Sequence, residues 1–526
     1  MSRLIAVADC ETDPFKHGRI PKPFIWGYYD GDDYHEFYDT DSFVEFVKEI
    51  PCIVYAHNGG KFDWHYVLDH VEEFEPIMVI NGRLSKFKIG EAEFRDSFNI
   101  LPFKLADYKK DDMNYEIMEE SERHKPHNFA KIQSYLKGDC VYLHELIKQF
   151  IDDYGMNLTF ASASMKQWQK LSGIKPPKCN ESFFDRIAPY YYGGRVECFQ
   201  SGVFNHEFQV IDINSAYPHA MVNHHPYGTE FTIDNRLPKT DSEKQRCFIK
   251  LRCISKGAFP LRTKNGLRFP DDGILREYSV TGWEYLAAKR TGTITNVHII
   301  ECLSFFETIN FEQYITHFFK LKTEAKENGD KAGYLFAKFF LNSLYGKYGS
   351  NPSKYKEYIT LDKQFIMAAM ETDNYAYCAD FGTLALCSKP LDEDKRRYFN
   401  PAVAASITGF VRAYMWESIL KCKGVMYCDT DSIVCSSTGN LELDPTLLGA
   451  WDIEATCSEG AIAGKKLYAF KTDKGDYKIA SKGGILTADQ IYCIANGGEV
   501  IYKSDAPTYS LKNGIKFVDK RLVATV

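Results

Sequence analysis

Tyr427-Cys428-Asp429-Thr430-Asp431-Ser432 sets two carboxylates two residues apart, with Val425 and Met426 before them and Ile433 and Val434 after. On an extended strand, residues i and i+2 project to the same side, so the spacing predicts that Asp429 and Asp431 aim at one point. Two anions held that closely need a cation between them, and hard carboxylate oxygens suit Mg²⁺. A metal pair on such carboxylates is a general route to in-line displacement at phosphorus. An isolated Asp-x-Asp is most often a solvated turn, so the reading rests on what accompanies it.

Two companions stand upstream. Asp212-Ile213-Asn214-Ser215-Ala216-Tyr217-Pro218 follows the strand-like run Phe208-Gln209-Val210-Ile211. It puts a further carboxylate at a strand end and an aromatic five residues on, where a turn at Pro218 is expected. The plain alternative is a strand-loop-helix junction with a packing tyrosine. In Lys338-Phe339-Phe340-Leu341-Asn342-Ser343-Leu344-Tyr345-Gly346, residues Lys338, Asn342 and Tyr345 fall at i, i+4 and i+7. On a helix they share one face. A cation, an amide and a ring suit a triphosphate and a base, whereas a structural helix would more often place apolar residues at all three positions.

The N-terminal third holds a second acidic set. The apolar run Leu4-Ile5-Ala6-Val7-Ala8 reads as a buried strand and leads into Asp9-Cys10-Glu11. Asn58-Gly59-Gly60-Lys61-Phe62-Asp63 follows a second strand-like run, Cys52–Ala56. Around Tyr135-Leu136-Lys137-Gly138-Asp139, residues Leu136, Leu143, Leu146, Ile147 and Phe150 recur at helical spacing, which places Tyr135 and Asp139 one turn apart. Four acids gathered with a tyrosine suit two metals and an oriented water, the hydrolytic form of the same chemistry. Singly, each of these residues has an ordinary structural reading.

Together the first three segments resemble motifs A, B and C of family B DNA polymerases, in that order. The resemblance implies that Asp212 and Asp431 are the main metal ligands, with Asp429 beside them. It implies that Lys338 holds the incoming triphosphate and protonates the leaving pyrophosphate. Separately, lysines are dense just upstream at Lys320, Lys322, Lys326 and Lys331, which makes Lys322 a candidate second contact to the triphosphate; the plain alternative is a solvated helix face. Tyr217 is similar to the residue that stacks under the sugar and excludes a 2′-hydroxyl. Tyr345 is similar to the one at the nascent base pair, and Asn342 lies on its face. The N-terminal set resembles the exonuclease motifs of proofreading polymerases, Asp-x-Glu, Asn-x₃-Phe-Asp and Tyr-x₃-Asp. That implies metal binding by Asp9, Glu11, Asp63 and Asp139, water orientation by Tyr135, and single-strand contacts from Asn58 and Phe62. Ser97-Phe98 resembles a further strand contact, with Phe where relatives carry Leu. Tyr191-Tyr192-Gly193-Gly194 resembles the Tyr-x-Gly-Gly element that shares a primer between two sites. Lys466 and Tyr468 resemble the Lys-x-Tyr primer-strand contact, expected on one side of a strand.

The fold expected from this resemblance is an α/β (α+β) multidomain chain. A ribonuclease H-like 3′-5′ exonuclease domain over 1–160 precedes a right-hand polymerase domain over 161–526. Within the latter, the palm covers 161–224 and 400–485, fingers 311–350 and a thumb 486–526. Inserts at 225–310 and 351–399 match the positions of TPR1 and TPR2, which mark polymerases primed by a protein. Texture such as Asp13-Pro14-Phe15-Lys16-His17 and Ala463-Gly464-Lys465-Lys466-Leu467-Tyr468 is similar to the tectivirus type. Lys175-Pro176-Pro177-Lys178 reads as a loop.

The bulk numbers set the frame. A chain of 526 residues that is 44% hydrophobic can bury several cores. Its formal net charge of −7 is not the basic footprint usual for nucleic-acid binding. Two metal-loaded acidic sites would account for part of that balance. Fifteen cysteines with no zinc-site spacing suit a reducing compartment. With no secretory leader and no membrane span expected, the reading is cytoplasmic, in a host cell if phage-encoded. The expected function is a DNA-directed DNA polymerase that starts chains on a terminal protein, with proofreading and strand displacement. It would act as a monomer on DNA primer-template and deoxynucleoside triphosphates. Its cofactor would be Mg²⁺, two ions per site, with Mn²⁺ as the alternative. Rival readings are a family B polymerase extending nucleic-acid primers, a non-catalytic DNA-binding scaffold, and a stand-alone nuclease.

Overall fold

A computed structural model describes residues 3–177 and 179–525. The loop expected at 175–178 is irregular over 175–177, and Lys178 lies outside the described residues.

The apolar run at Leu4 does form a central strand, Leu4–Thr12, which carries Asp9 and Glu11. It pairs in parallel with Cys52–Ala56 and antiparallel with Pro23–Tyr29. Such a strand is covered on both faces, which explains its near-continuous hydrophobicity. One face meets the helix Pro126–Tyr154, through Leu136, Leu143, Ile147 and Phe150 among others. Pro126 opens that helix with a φ already suited to it, and Gly155 at φ 76° ends it. The other face meets the helix Thr40–Val47, where Trp26 stacks on Phe43 at 4.5 Å.

This sheet has ten strands, and three come from the second insert. Lys356–Leu361 pairs antiparallel with Pro76–Ile80, and Leu384–Pro390 and Ala376–Phe381 extend the edge. Phe381 and Leu386 are buried in the N-terminal core. Thr360 locks the seam: its Oγ1 accepts from the Glu75 amide at 2.9 Å and donates to the Glu72 carbonyl at 2.8 Å. A local reading sees that insert as a surface elaboration, because a strand's partner is not written in its own residues.

A second sheet of eight strands carries the other acids. Its centre is Phe208–Ile213, flanked by Trp451–Gly464 and Ser432–Ser437. Here the structure corrects the expected i, i+2 strand. Lys423–Asp429 and Ser432–Ser437 are the two arms of a hairpin, and Asp429 pairs with Ser432. Asp429 and Asp431 bracket its turn, where Thr430 takes φ 61°. The turn expected at Pro218 lies earlier, at Ser215 (φ 56°); Pro218 sits in the first turn of the helix Ala216–Met221. Lys466 is likewise in a turn (φ 58°), between Trp451–Gly464 and Leu467–Thr472, rather than on a strand with Tyr468.

Two antiparallel helices, Glu312–Glu327 and Lys331–Tyr348, stand over this sheet, with Phe318 stacked on Phe340 at 4.4 Å. Phe160–Ser172 packs on the same pair through Phe160. The first insert is a four-stranded antiparallel sheet, with Ile294–Ile309 as its long shared strand. The C-terminal hairpins return to the N-terminal sheet, where Tyr509 and Tyr66 hydroxyls meet at 2.5 Å.

Thr360→Val should strip the seam of both side-chain hydrogen bonds and cost about 1–2 kcal/mol, since the groups left behind are partly desolvated. Hydrogen–deuterium exchange should quicken over 72–77 and 356–361 while 4–12 stays protected. Unchanged exchange at the seam would contradict this account of it.

Candidate active sites

In the N-terminal site, Asp9 and Glu11 come from the central strand, Asp63 from the turn after Cys52–Ala56, and Tyr135 and Asp139 from the covering helix. They line one cavity of about 360 Å³. Burial and mutual repulsion raise these acids together. Glu11 is pushed up to about 8 by burial and by Asp139, and Asp63 to about 6 by burial. Asp9 stands well above the usual carboxylate range because of burial, then Asp63 and Glu11. Lys110 sits among them, its Nζ 3.1 Å from Asp139 Oδ2. Tyr115 donates to or accepts from the Tyr135 hydroxyl at 2.9 Å. Neither Lys110 nor Tyr115 belongs to a motif in the sequence; only the fold brings them to the acids.

The expected strand contacts separate. Asn58 (φ 64°) and Phe62 line the cavity. Arg83 bonds Asn58 Oδ1 at 2.6 Å and lies over the Phe98 ring at 4.5 Å. Ser97 is fully buried, with Oγ donating to the Ala56 carbonyl and 3.0 Å from His57 Nδ1.

In the second site, Asp212 pairs with Ser432 across the sheet, and the Ile213 amide donates to the Asp431 carbonyl at 2.9 Å. Two segments more than 200 residues apart thus bring Asp212 and Asp431 together. Burial, Asp431 and then Glu454 raise Asp212 to about 7; burial and Asp429 raise Asp431 to about 6. Asp429 is held differently. It accepts from Tyr427 Oη at 3.3 Å and Thr430 Oγ1 at 3.0 Å, and its Oδ2 lies 3.2 Å from Lys466 Nζ. Tyr427 in turn accepts from the Lys466 amide and packs against Tyr468 at 5.3 Å. Lys466 therefore reaches Asp429 from a turn, while Tyr468 packs behind Tyr427 from the strand Leu467–Thr472. Glu454, paired with Lys478, is an acid that sequence reading passed over.

The helix Lys331–Tyr348 presents Lys338 and Asn342 to solvent and brings Tyr345 to Tyr217, their rings stacked at 4.3 Å and 4°. Lys322 lies half-buried on the paired helix, its ammonium disfavoured by burial and then by Lys338 and Lys326. Crowded cations of this kind favour an anion. The Tyr191–Gly194 loop is pinned between these parts. Arg412 donates to the carbonyls of Tyr192 and Gly193, and the Arg195 carbonyl accepts from the Thr430 amide at 2.6 Å. A Cβ on Gly194 would lie 2.8 Å from Thr430 Cγ2, so the approach of loop to turn needs glycine there.

Among the described residues, no three His, Cys, Asp or Glu side chains are already drawn into a closed ligand shell. Both acidic sets nevertheless fit a hard divalent cation. Their carboxyls are raised by burial and then, for Asp9, Glu11, Asp212 and Asp431, by neighbouring acids, and Asp139 Oδ1 is buried with no hydrogen-bond partner.

Comparison with known proteins follows the same lines. Residues 104–385 match the family described as DNA polymerase type B, organellar and viral. The DNA-directed DNA polymerase of Enterobacteria phage PRD1 is 36% identical, over 99% of this chain and 98% of its own. The DNA polymerase of Bacillus phage phi29 is 24% identical, over 89% and 86%. Phi29 DNA polymerase complexed with primer-template DNA and incoming nucleotide substrates shares the fold, with a TM-score of 0.75 at 18% identity over 99% of this chain and 100% of that one.

A carboxyl whose folded pKa exceeds its unfolded value costs stability once ionised. For Asp212 the cost is absent below about pH 4, where both states are protonated, and is complete above its folded value of about 7. Without divalent cation, Asp212→Asn should therefore raise the melting temperature at pH 8 and leave it nearly unchanged at pH 4. Mg²⁺ should raise the native chain's melting temperature at pH 8 more than the variant's. Equal responses of the two chains would contradict the crowding.

Proposed function

Because the chain belongs to the organellar and viral type B DNA polymerases and is a DNA-directed DNA polymerase, we propose that its two acidic sites divide synthesis from 3′-5′ proofreading and that it starts chains on a terminal protein. The observation that carries the synthetic half is the meeting of Asp212 with Asp431 next to the stacked Tyr217 and Tyr345, both of whose hydroxyls feel the Asp431 charge.

In the synthetic site, Asp212 and Asp431 would hold the divalent cations, Mg²⁺ by the hardness of the donors, with Asp429 braced beside them. Bound there, such ions supply Lewis acidity and a more acidic attacking hydroxyl. Lys338 and Lys322 neutralise the triphosphate, and Lys338 gives a proton to the leaving pyrophosphate oxygen. Charge placed where negative charge develops lowers the barrier more than charge placed on the ground state. Tyr217 closes the space beside the sugar and Tyr345 backs the base. Lys466 and Tyr468 steady the primer strand next to Asp429.

In the N-terminal site, Asp9, Glu11, Asp63 and Asp139 would hold the cations. Tyr135, its hydroxyl fixed by Tyr115, orients the attacking water, and Lys110 tempers the acids' repulsion. Asn58 and Phe62 meet the frayed strand. Support for protein priming comes from the two inserts and from the resemblance along the chain; a nucleic-acid primer is the rival. The first insert offers exposed apolar Ile233 and Phe306 for a protein partner.

Asp9→Ala with Glu11→Ala should abolish degradation of a single-stranded 3′ end and leave primer extension largely intact; Asp429→Ala or Asp431→Ala should do the reverse. The assay is one labelled primer-template with Mg²⁺, with and without deoxynucleotides. Supplied with its cognate terminal protein, the native chain should attach a labelled nucleotide to a Ser, Thr or Tyr of that protein. Loss of both activities from either change in a folded chain would sink the two-site reading. Brisk primer extension with no labelled protein would favour the nucleic-acid-primed rival.

A further inference from the structure

Between Thr12 and Pro23 the chain makes a tight loop that borders the N-terminal cavity. Polar contacts hold it throughout. The Asp13 carboxylate takes Arg123 at 2.7 Å and the Lys22 amide at 3.2 Å. Arg19 reaches both the Pro14 carbonyl and Glu119, and Lys16 bonds the same glutamate at 2.5 Å. His17 Nδ1 lies 2.9 Å from the Ser504 carbonyl, on the C-terminal segment.

None of these contacts uses Phe15. Its ring is 45% exposed, yet it lines the cavity that holds Asp9, Glu11, Asp63 and Asp139. It stands edge-on to Phe62, with centroids 5.7 Å apart and planes at 82°. Phe62 is hemmed on its other sides by Tyr66 and Tyr509, at 5.5 and 5.3 Å, whereas Phe15 keeps open ring surface. Pro507 and Tyr509 of the C-terminal segment line the same cavity. The result is a slot with an aromatic at its rim, leading to the acids. A single exposed phenylalanine is commonplace on protein surfaces. Here a loop held by its own polar contacts places a half-exposed ring on the lining of an acidic cavity.

We propose that Phe15 stacks on a base of the single-stranded DNA 3′ end that enters this cavity, a binding residue additional to Asn58 and Phe62. The inference rests on the reading of the cavity as the hydrolytic site. Stacking suits such a site because every base offers a π-face, so any mispaired end is gripped alike.

The test uses the full chain and an oligonucleotide with 2-aminopurine at its 3′ terminus. With Ca²⁺ in place of Mg²⁺ to suppress hydrolysis, the native chain should quench the fluorophore by stacking and Phe15→Ala should not. With Mg²⁺, Phe15→Ala should lower kcat/KM for degradation about ten-fold, chiefly through KM, on the scale of losing one stacked base. Phe15→Trp should restore both readouts. An oligonucleotide with an abasic 3′ terminus should remove the difference between native and Phe15→Ala chains. Extension of a matched primer, unchanged in Phe15→Ala, reports that the variant is folded. Native-like quenching and degradation by Phe15→Ala would overturn the stacking role alone. If the native chain degrades no more than Asp9→Ala does, the hydrolytic reading falls, and the stacking role with it.

Discussion

Repulsion between buried carboxylates is the constraint around which this chain is built. Left to themselves, Asp212 and Asp431 would separate or take up protons, as would Asp9, Glu11, Asp63 and Asp139. Each is fixed instead by backbone that cannot yield cheaply. Asp9 and Glu11 ride a largely buried inner strand of the N-terminal sheet, and Asp212 lies near the end of the central strand of the other. Asp431 lies in a hairpin turn whose neighbour Thr430 is forced to φ 61° and clamped by the Arg195 carbonyl. A non-glycine residue in that region signals that its surroundings dictate its conformation. Lys110 in one site and Lys466 in the other offset part of the repulsion. The remainder is available to cations.

The same rigidity ties the two sites into one body. The second insert leaves the helix of Lys338 and Tyr345 and pairs with the edge of the N-terminal sheet through Lys356–Leu361. The last hairpins leave the second sheet and seat Tyr509 beside Phe62 and Tyr66. The C-terminal segment brings Ala506, Pro507 and Tyr509 to the wall of the N-terminal cavity, while the second insert joins that sheet at its edge strand Pro76–Ile80.

Much of this was legible in the residues, and the exceptions share a cause. Strand, helix and acid positions at Leu4–Thr12, Pro126–Tyr154 and Lys331–Tyr348 follow from local periodicity, and they emerge where expected. The apolar, β-favouring flanks Val425-Met426 and Ile433-Val434 make Asp429 and Asp431 look like strand neighbours; the turn hides in Thr430, a residue type that rarely takes positive φ. Lys466 misled in the same way. The partners of the Ser97 hydroxyl, His57 and Ala56, depend on tertiary burial that its motif does not show. Lys110, Tyr115 and Glu454 went unmarked because their roles come from tertiary neighbours: Asp139, Tyr135 and Asp212. The seam at Thr360 lies further still from local reading, since it joins segments some 285 residues apart.

The central claim is that two separate acidic sites on one rigid chain each gather divalent cation. Anomalous diffraction from crystals soaked in Mn²⁺ tests it most directly. The account predicts manganese peaks at two places, one touching Asp212 and Asp431, the other among Asp9, Glu11, Asp63 and Asp139. Peaks confined to surface carboxylates, or a single site with the other acid set bare at saturating Mn²⁺, would contradict it.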